Sequence, residues 1–138
     1  STETGHNSLG NYYNWTAAIA SNNSSSLTQD TLNDISKNPK NSICPKGWRL
    51  PTISNQSQTT TGSTNEFMRL ASLYPSITNS PLFFFKAGFI NASSQLNTDF
   101  GLYWSSTISG TNGAYTLQNT GNAANGKMYG STVRCLAK

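Results

Sequence analysis

The chain has 138 residues and a net charge of +4; Ser, Thr and Asn number 20, 17 and 17, while charged side chains make up only 10%. That length suits one core rather than two, and the 11% aromatic content, with Leu, Ile and Val, supplies too much apolar area for simple disorder. The nine Lys and Arg residues are scattered with no basic stripe, which argues against a nucleic-acid interface or a membrane surface, and no apolar run approaches the roughly 20 residues of a spanning helix.

Residues 1 to 9 read as a disordered lead-in, with Gly5 and Gly10 as breakers, and residues 10 to 138 as a single domain. The start at Ser1, without initiator Met or signal peptide, reads as an ectodomain trimmed of its export signal or anchor. A first helix is expected from about Asn14, packing Trp15, Ala18 and Ile19 inward. A weak helical or turn segment follows at 27 to 36, anchored by Leu27, Leu32 and Ile35.

Cys44 lies within Ile43-Cys44-Pro45-Lys46-Gly47-Trp48-Arg49-Leu50-Pro51-Thr52 and Cys135 within Gly130-Ser131-Thr132-Val133-Arg134-Cys135. Two cysteines, each in a segment that reads as ordered, suggest one bridge in an oxidising compartment; a metal site would want three or four close-spaced soft ligands. Two buried free thiols are the alternative.

A polar tract at Ser54 to Thr64 ends in a capping box, Ser63-Thr64-Asn65-Glu66, and Phe67, Leu70, Ala71 and Tyr74 then fall on one apolar helical face that Pro75 stops. Beyond this the period shortens, giving strands at Leu82 to Phe85, Phe89 to Ile90, Leu102 to Thr107, Ala114 to Leu117 and Thr132 to Leu136. In the consecutive Phe83, Phe84 and Phe85, at least one ring would face away from a one-sided core. Long loops rich in Asn, Gly, Ser and Thr are expected at Asn91 to Phe100, Ser109 to Gly113 and Asn119 to Met128. Helices first and short strands later indicate an α+β domain with an antiparallel sheet.

Four motifs in order, Cys44 to Thr52, Gly101-Leu102-Tyr103-Trp104-Ser105-Ser106-Thr107, Ala114-Tyr115-Thr116-Leu117 and Gly130 to Cys135, together resemble the Fibrobacter succinogenes major paralogous domain of bacterial surface and secreted proteins. The resemblance spans roughly residues 10 to 137. It implies a C-type-lectin-like fold, related to the formylglycine-generating-enzyme type, in which two helices flank a twisted antiparallel sheet with long irregular loops. It also implies that Cys44 pairs with Cys135, that Trp48, Leu50, Trp104 and Val133 are core, and that ligands meet the irregular face at Ser109 to Tyr129. The chain departs from the family in its last loop, where Gly121-Asn122-Ala123-Ala124-Asn125-Gly126 is less aromatic than is typical.

Catalysis finds little support. The single histidine, His6, lies in the lead-in, so no Ser-His or Cys-His pair is available, and Glu3, Asp30, Asp34, Glu66 and Asp99 are thinly spread. No cofactor or metal is expected. A calcium site needs six to eight oxygens, and Asn97-Thr98-Asp99, the nearest local match, reads as an Asx turn. Neutral amides and tyrosines suit hydroxyls and peptide groups instead. The candidate ligand-binding residues are Asn112, Asn119, Asn122, Asn125, Lys127 and Tyr129, with Tyr115 half-buried.

The expectation is therefore a calcium-independent, adhesin-like recognition domain, cell-surface anchored or secreted and pilus-associated, whose partner is a glycan or a surface protein. The alternative is a structural surface or matrix module with no dedicated ligand, whose several Asn-X-Ser/Thr sequons could carry glycans.

Overall fold

The computed structural model describes residues 11–20, 42–53, 66, 86–94, 96–97, 101–118 and 121–137, and the backbone alone for 121 and 122. In chain order these form α1 (Trp15–Ala18), β1 (Trp48–Arg49), β2 (Phe89–Ile90), β3 (Leu96–Asn97), β4 (Tyr103–Ser109), β5 (Gly113–Gln118), β6 (Gly121–Gly126) and β7 (Leu136–Ala137). Antiparallel pairing dominates: β1 pairs with β7, β2 with β3, and β4-β5-β6 form a three-stranded meander.

The expected first helix is present but short. Asn14 caps it, its side-chain oxygen accepting from the Ala17 amide at 2.8 Å, and Trp15, Ala18 and Ile19 are buried as expected. Most of the expected second helix, all of the weak segment at 27 to 36, the strand at Leu82 to Phe85 with its three Phe rings, the polar tract and the lead-in lie outside the described residues.

Within the meander, β4 and β5 are buried on both faces, while the described side chains of β6 are half-buried or exposed. Trp104, Ile108, Ala114 and Thr116 share one face through the pairs Trp104↔Thr116 and Ile108↔Ala114, against Trp15, Ala18, Ile19 and Leu50. On the other face Tyr103 and Leu117, directly opposed, pack with Ile53 and half-buried Tyr115. Two tryptophans lock the first face to the chain's beginning: Trp15 Nε1 donates to the Ser105 carbonyl at 2.9 Å, and Trp104 Nε1 to the Tyr13 carbonyl at 2.7 Å.

Trp-Ser-Ser-Thr acquires a physical meaning in β4. The ladder to β5 is interrupted between Trp104 and Ile108, and the Ser105 hydroxyl fills the gap, donating to the Tyr115 carbonyl at 2.7 Å and accepting from the Thr107 amide at 3.1 Å. The bulged segment is also tied to the Pro51–Ile53 stretch, with Ser106 N donating to Pro51 O at 2.8 Å and Ile53 N to Thr107 Oγ1 at 2.9 Å.

Cys44 and Cys135 form a disulfide with Cα atoms 5.9 Å apart, and β1 and β7 pair beside it. Between them Pro45-Lys46-Gly47-Trp48 closes a tight turn, Trp48 N donating to Pro45 O at 2.9 Å with Gly47 at φ +86°. That angle is why Gly stands there.

Several expectations are corrected. Trp48 is not core: it is 47% exposed, because its two-residue strand pairs it with exposed Ala137 and no bulky side chain stands opposite. Leu50 and Trp104 are buried, and half-buried Val133 packs against the same cluster. Asn119 to Met128 is not all loop, since Gly121–Gly126 is strand β6; backbone pairing with β5 outweighs the poor strand propensity of Gly and Asn. Leu96–Asn97 likewise adds a short strand within Asn91 to Phe100. Thr132 to Leu136 is not one strand, because Ser131 and Thr132 make isolated bridges to Tyr13 and Tyr103 and only Leu136–Ala137 forms a ladder. Arg49 and Thr52 hold the Glu66 carboxylate, while Ser63, its expected capping-box partner, lies outside the described residues.

Candidate functional site

The described residues among the six proposed for ligand binding divide between the two ends of the β5-β6 hairpin. Asn122 opposes Leu117 near the Gln118↔Gly121 end, while Asn112 lies just beyond the opposite Gly113↔Gly126 end. At about 3.4 Å per residue the two rungs are roughly 17 Å apart, so one small ligand cannot span both. Asn119 and the Asn122 side chain lie outside the described residues.

At the Gly113↔Gly126 end, the β4–β5 turn and the chain leaving β6 are held together by Lys127. Its amide donates to Asn112 O at 2.9 Å, its carbonyl accepts from Trp15 N at 2.9 Å, and its Nζ donates to Thr111 O at 2.7 Å. The ammonium sits 5.1 Å from the centroid of the Trp15 ring. Lys127 is only 7% exposed, and burial lowers its pKa from the usual lysine value. Its ammonium thus faces the fold, where it fixes the turn that carries Asn112. The Asn112 residue itself is exposed.

Tyr129 follows two residues later. Its amide donates to Gly126 O at 2.9 Å, and its ring is stacked on Phe89 with centroids 5.8 Å apart and planes 17° from parallel. The ring also lies beside Gly126, where a Cβ would sit 3.5 Å from Tyr129 Cε1. Next to it Met128 is 68% exposed. Asn125 is half-buried, and its Nδ2 donates to Thr116 Oγ1 at 2.7 Å, so its amide braces β6 against β5.

The site is therefore an end surface of exposed Thr111 and Asn112 with half-buried Tyr129 and exposed Met128, stiffened from beneath by Lys127 and Asn125. Its chemistry is neutral: an exposed two-way hydrogen-bonding amide on the β4–β5 turn, and a stacked aromatic pair formed by Phe89 with Tyr129 of the chain leaving β6. Phe89 and Thr111 escaped the sequence reading. Phe89 stands 40 positions from its stacking partner, and the Thr111 role belongs to its carbonyl, which no side-chain pattern reports.

Among the described residues, an ion pair lies elsewhere. Arg49 engages both Glu66 carboxylate oxygens, at 2.6 Å through Nη1, and Thr52 N donates to Glu66 Oε2 at 2.7 Å. Burial alone would raise the Glu66 pKa, but the Arg49 and Thr52 hydrogen bonds outweigh it and leave the group below its usual value.

Among the described residues no group of three or more His, Cys, Asp or Glu could hold a metal ion, and no helix is long and apolar enough to cross a membrane. Of the nearest calcium-like triplet, Asn97 lies in β3 and Thr98 and Asp99 lie outside the described residues. Comparison with protein-family models, curated proteins and solved structures found no match.

Proposed function

We propose that this chain is an extracellular recognition domain of a bacterial surface protein, adhesin-like and pilus-associated, on a C-type-lectin-like scaffold of the Fibrobacter succinogenes major paralogous type. It binds a neutral glycan or a protein ligand without calcium, through the surface formed by Asn112 and Tyr129. The observation that carries this reading is the Lys127 pin: a turn bearing an exposed amide is fixed to the chain that leaves β6, two residues before the stacked Tyr129. Preorganised amide and aromatic groups bind hydroxyl-rich or peptide ligands with little ordering cost. The disulfide fits an oxidising exterior.

The rival reading, a structural module without a ligand, draws support from Asn125 and Lys127, whose polar groups are committed to Thr116 and Thr111. A glycan and surface-protein array separates the two. Wild type is compared with Asn112→Ala/Tyr129→Ala and with Asn119→Ala/Asn122→Ala, the latter at the far end of the hairpin. The recognition reading expects loss of at least about tenfold in affinity for the first pair alone; equal binding by all three proteins, or none by any, defeats it.

A further inference from the structure

We propose that Asn91 is an N-glycan acceptor, because the exposed turn between β2 and β3 presents Asn91-Ala92-Ser93 to a glycosyltransferase without disturbing the core. Five Asn-X-Ser/Thr sequons occur in the chain, at Asn14, Asn22, Asn23, Asn55 and Asn91; those at Asn14 and Asn91 fall within the described residues. In a chain with 17 Asn such triplets arise by chance, so the triplet alone decides nothing. What decides is whether the chain around the Asn stands clear of the packed interior, as a surface turn does.

The two described sequons differ on that point. Asn14 caps α1, its Oδ1 accepting from the Ala17 amide, and the residue between Asn14 and Thr16 is Trp15, wholly enclosed and tied through Nε1 to the Ser105 carbonyl. Offering Asn14 to an enzyme would mean opening the helix and withdrawing Trp15 from the core. Asn91 instead leaves β2 just past the last rung of its hairpin, Ile90↔Leu96. Ile90 is held from a second side as well, exchanging backbone hydrogen bonds of 2.8 and 2.9 Å with Gly130. Beyond this anchored residue Asn91 is half-buried, and Ala92, Ser93 and Ser94 are all exposed. The turn is closed by its own groups: Asn91 Oδ1 accepts from Ser93 N at 2.9 Å and Asn91 O from Ser94 N at 3.0 Å, with Ser94 at φ +60°. Such an Asx turn draws the Asn amide toward the residue two places on. Acceptor and required Ser are thus brought together on a stiffly mounted surface turn.

The transfer balances without a redox step. Asn91 Nδ2 bonds to the anomeric carbon of a diphosphate-activated sugar, the bond from that carbon to the phosphate oxygen breaks, the diphosphate departs with the electron pair, and the amide gives up one proton. The modification is independent of the Asn112 and Tyr129 surface and holds with or without a dedicated ligand. Mass-spectrometric mapping of the whole chain isolated from its native source tests it. Asn91 lies in the only sequon between Lys86 and Lys127, so the tryptic peptide 87–127 should carry a sugar mass on Asn91. Asn91→Asp keeps an oxygen to accept from Ser93 N but lacks the acceptor nitrogen; Ser93→Ala keeps that amide but lacks the hydroxyl. Both preserve the turn's hydrogen bond, so loss of the adduct in each, with its retention in Ser93→Thr, reports the sequon rather than misfolding. A bare 87–127 peptide in wild type overturns the proposal, wherever else the chain carries sugar. So does an adduct that survives either Asn91→Asp or Ser93→Ala.

Discussion

Glu66 concentrates four polar contacts on one half-buried carboxylate, two from Arg49 and two from Thr52. Because its folded pKa lies below the unfolded value, its stabilisation is present above the ordinary carboxyl range and is lost as pH falls through the folded pKa. Glu66→Gln should cost about 1 to 2 kcal/mol at neutral pH, and urea denaturation should show the gap from wild type closing toward about pH 3. A gap that survives in acid would mean that shape, rather than charge, holds Arg49. Lys127 makes a different demand. Lys127→Met keeps much of the apolar stem over Trp15 but removes the donor to Thr111 O. The turn that carries Asn112 should loosen, read as faster amide exchange at Thr111 to Gly113, with a loss of about 1 to 3 kcal/mol for the orphaned contact.

At the scale of elements, the β4 bulge makes the sharpest demand on sequence. Ser105→Ala would leave the Tyr115 carbonyl and the Thr107 amide without their hydroxyl partner inside a buried strand. The expected loss is about 1 to 3 kcal/mol by chemical denaturation; Ser105→Thr, which keeps the hydroxyl, should recover part of it. The strands legible from the chain were short runs of apolar, aromatic or β-branched residues punctuated by Gly and Asn, such as Phe89 to Ile90 and Ala114 to Leu117, and both recur in β2 and β5. β6 was illegible for a physical reason. Gly, Asn and Ala bury almost nothing, so the segment carries no period, and only its backbone pairing with β5 makes it a strand. The same blindness affected the candidate site. Asn112 and Tyr129 could be picked as residue types, but whether Lys127 faced a ligand or Trp15 depended on a fold that spacing does not encode.

Across the whole molecule, the disulfide joins the segment before β1 to the segment before β7, 91 positions apart. Closing so long a loop limits the unfolded chain, and reduction, or Cys44→Ser with Cys135→Ser, should cost about 2 to 5 kcal/mol. Thermal denaturation with and without reductant checks this; an unchanged midpoint would assign the stability to the packed tryptophans instead. The pairing was anticipated because only two cysteines are present. The burial of Trp104 and Leu50 was anticipated as well, whereas that of Trp48 was misjudged, because its neighbour across β1 and β7 is a residue as small as Ala137.

The three tryptophans occupy two contrasting environments: Trp15 and Trp104 are fully enclosed and hydrogen-bonded to main-chain carbonyls, while Trp48 meets solvent beside the disulfide-bonded cysteines. The native protein therefore carries its own optical reporters. Iodide should quench only the red-shifted part of the emission, and Trp48→Phe should abolish that quenching while leaving the blue component to follow unfolding of the core.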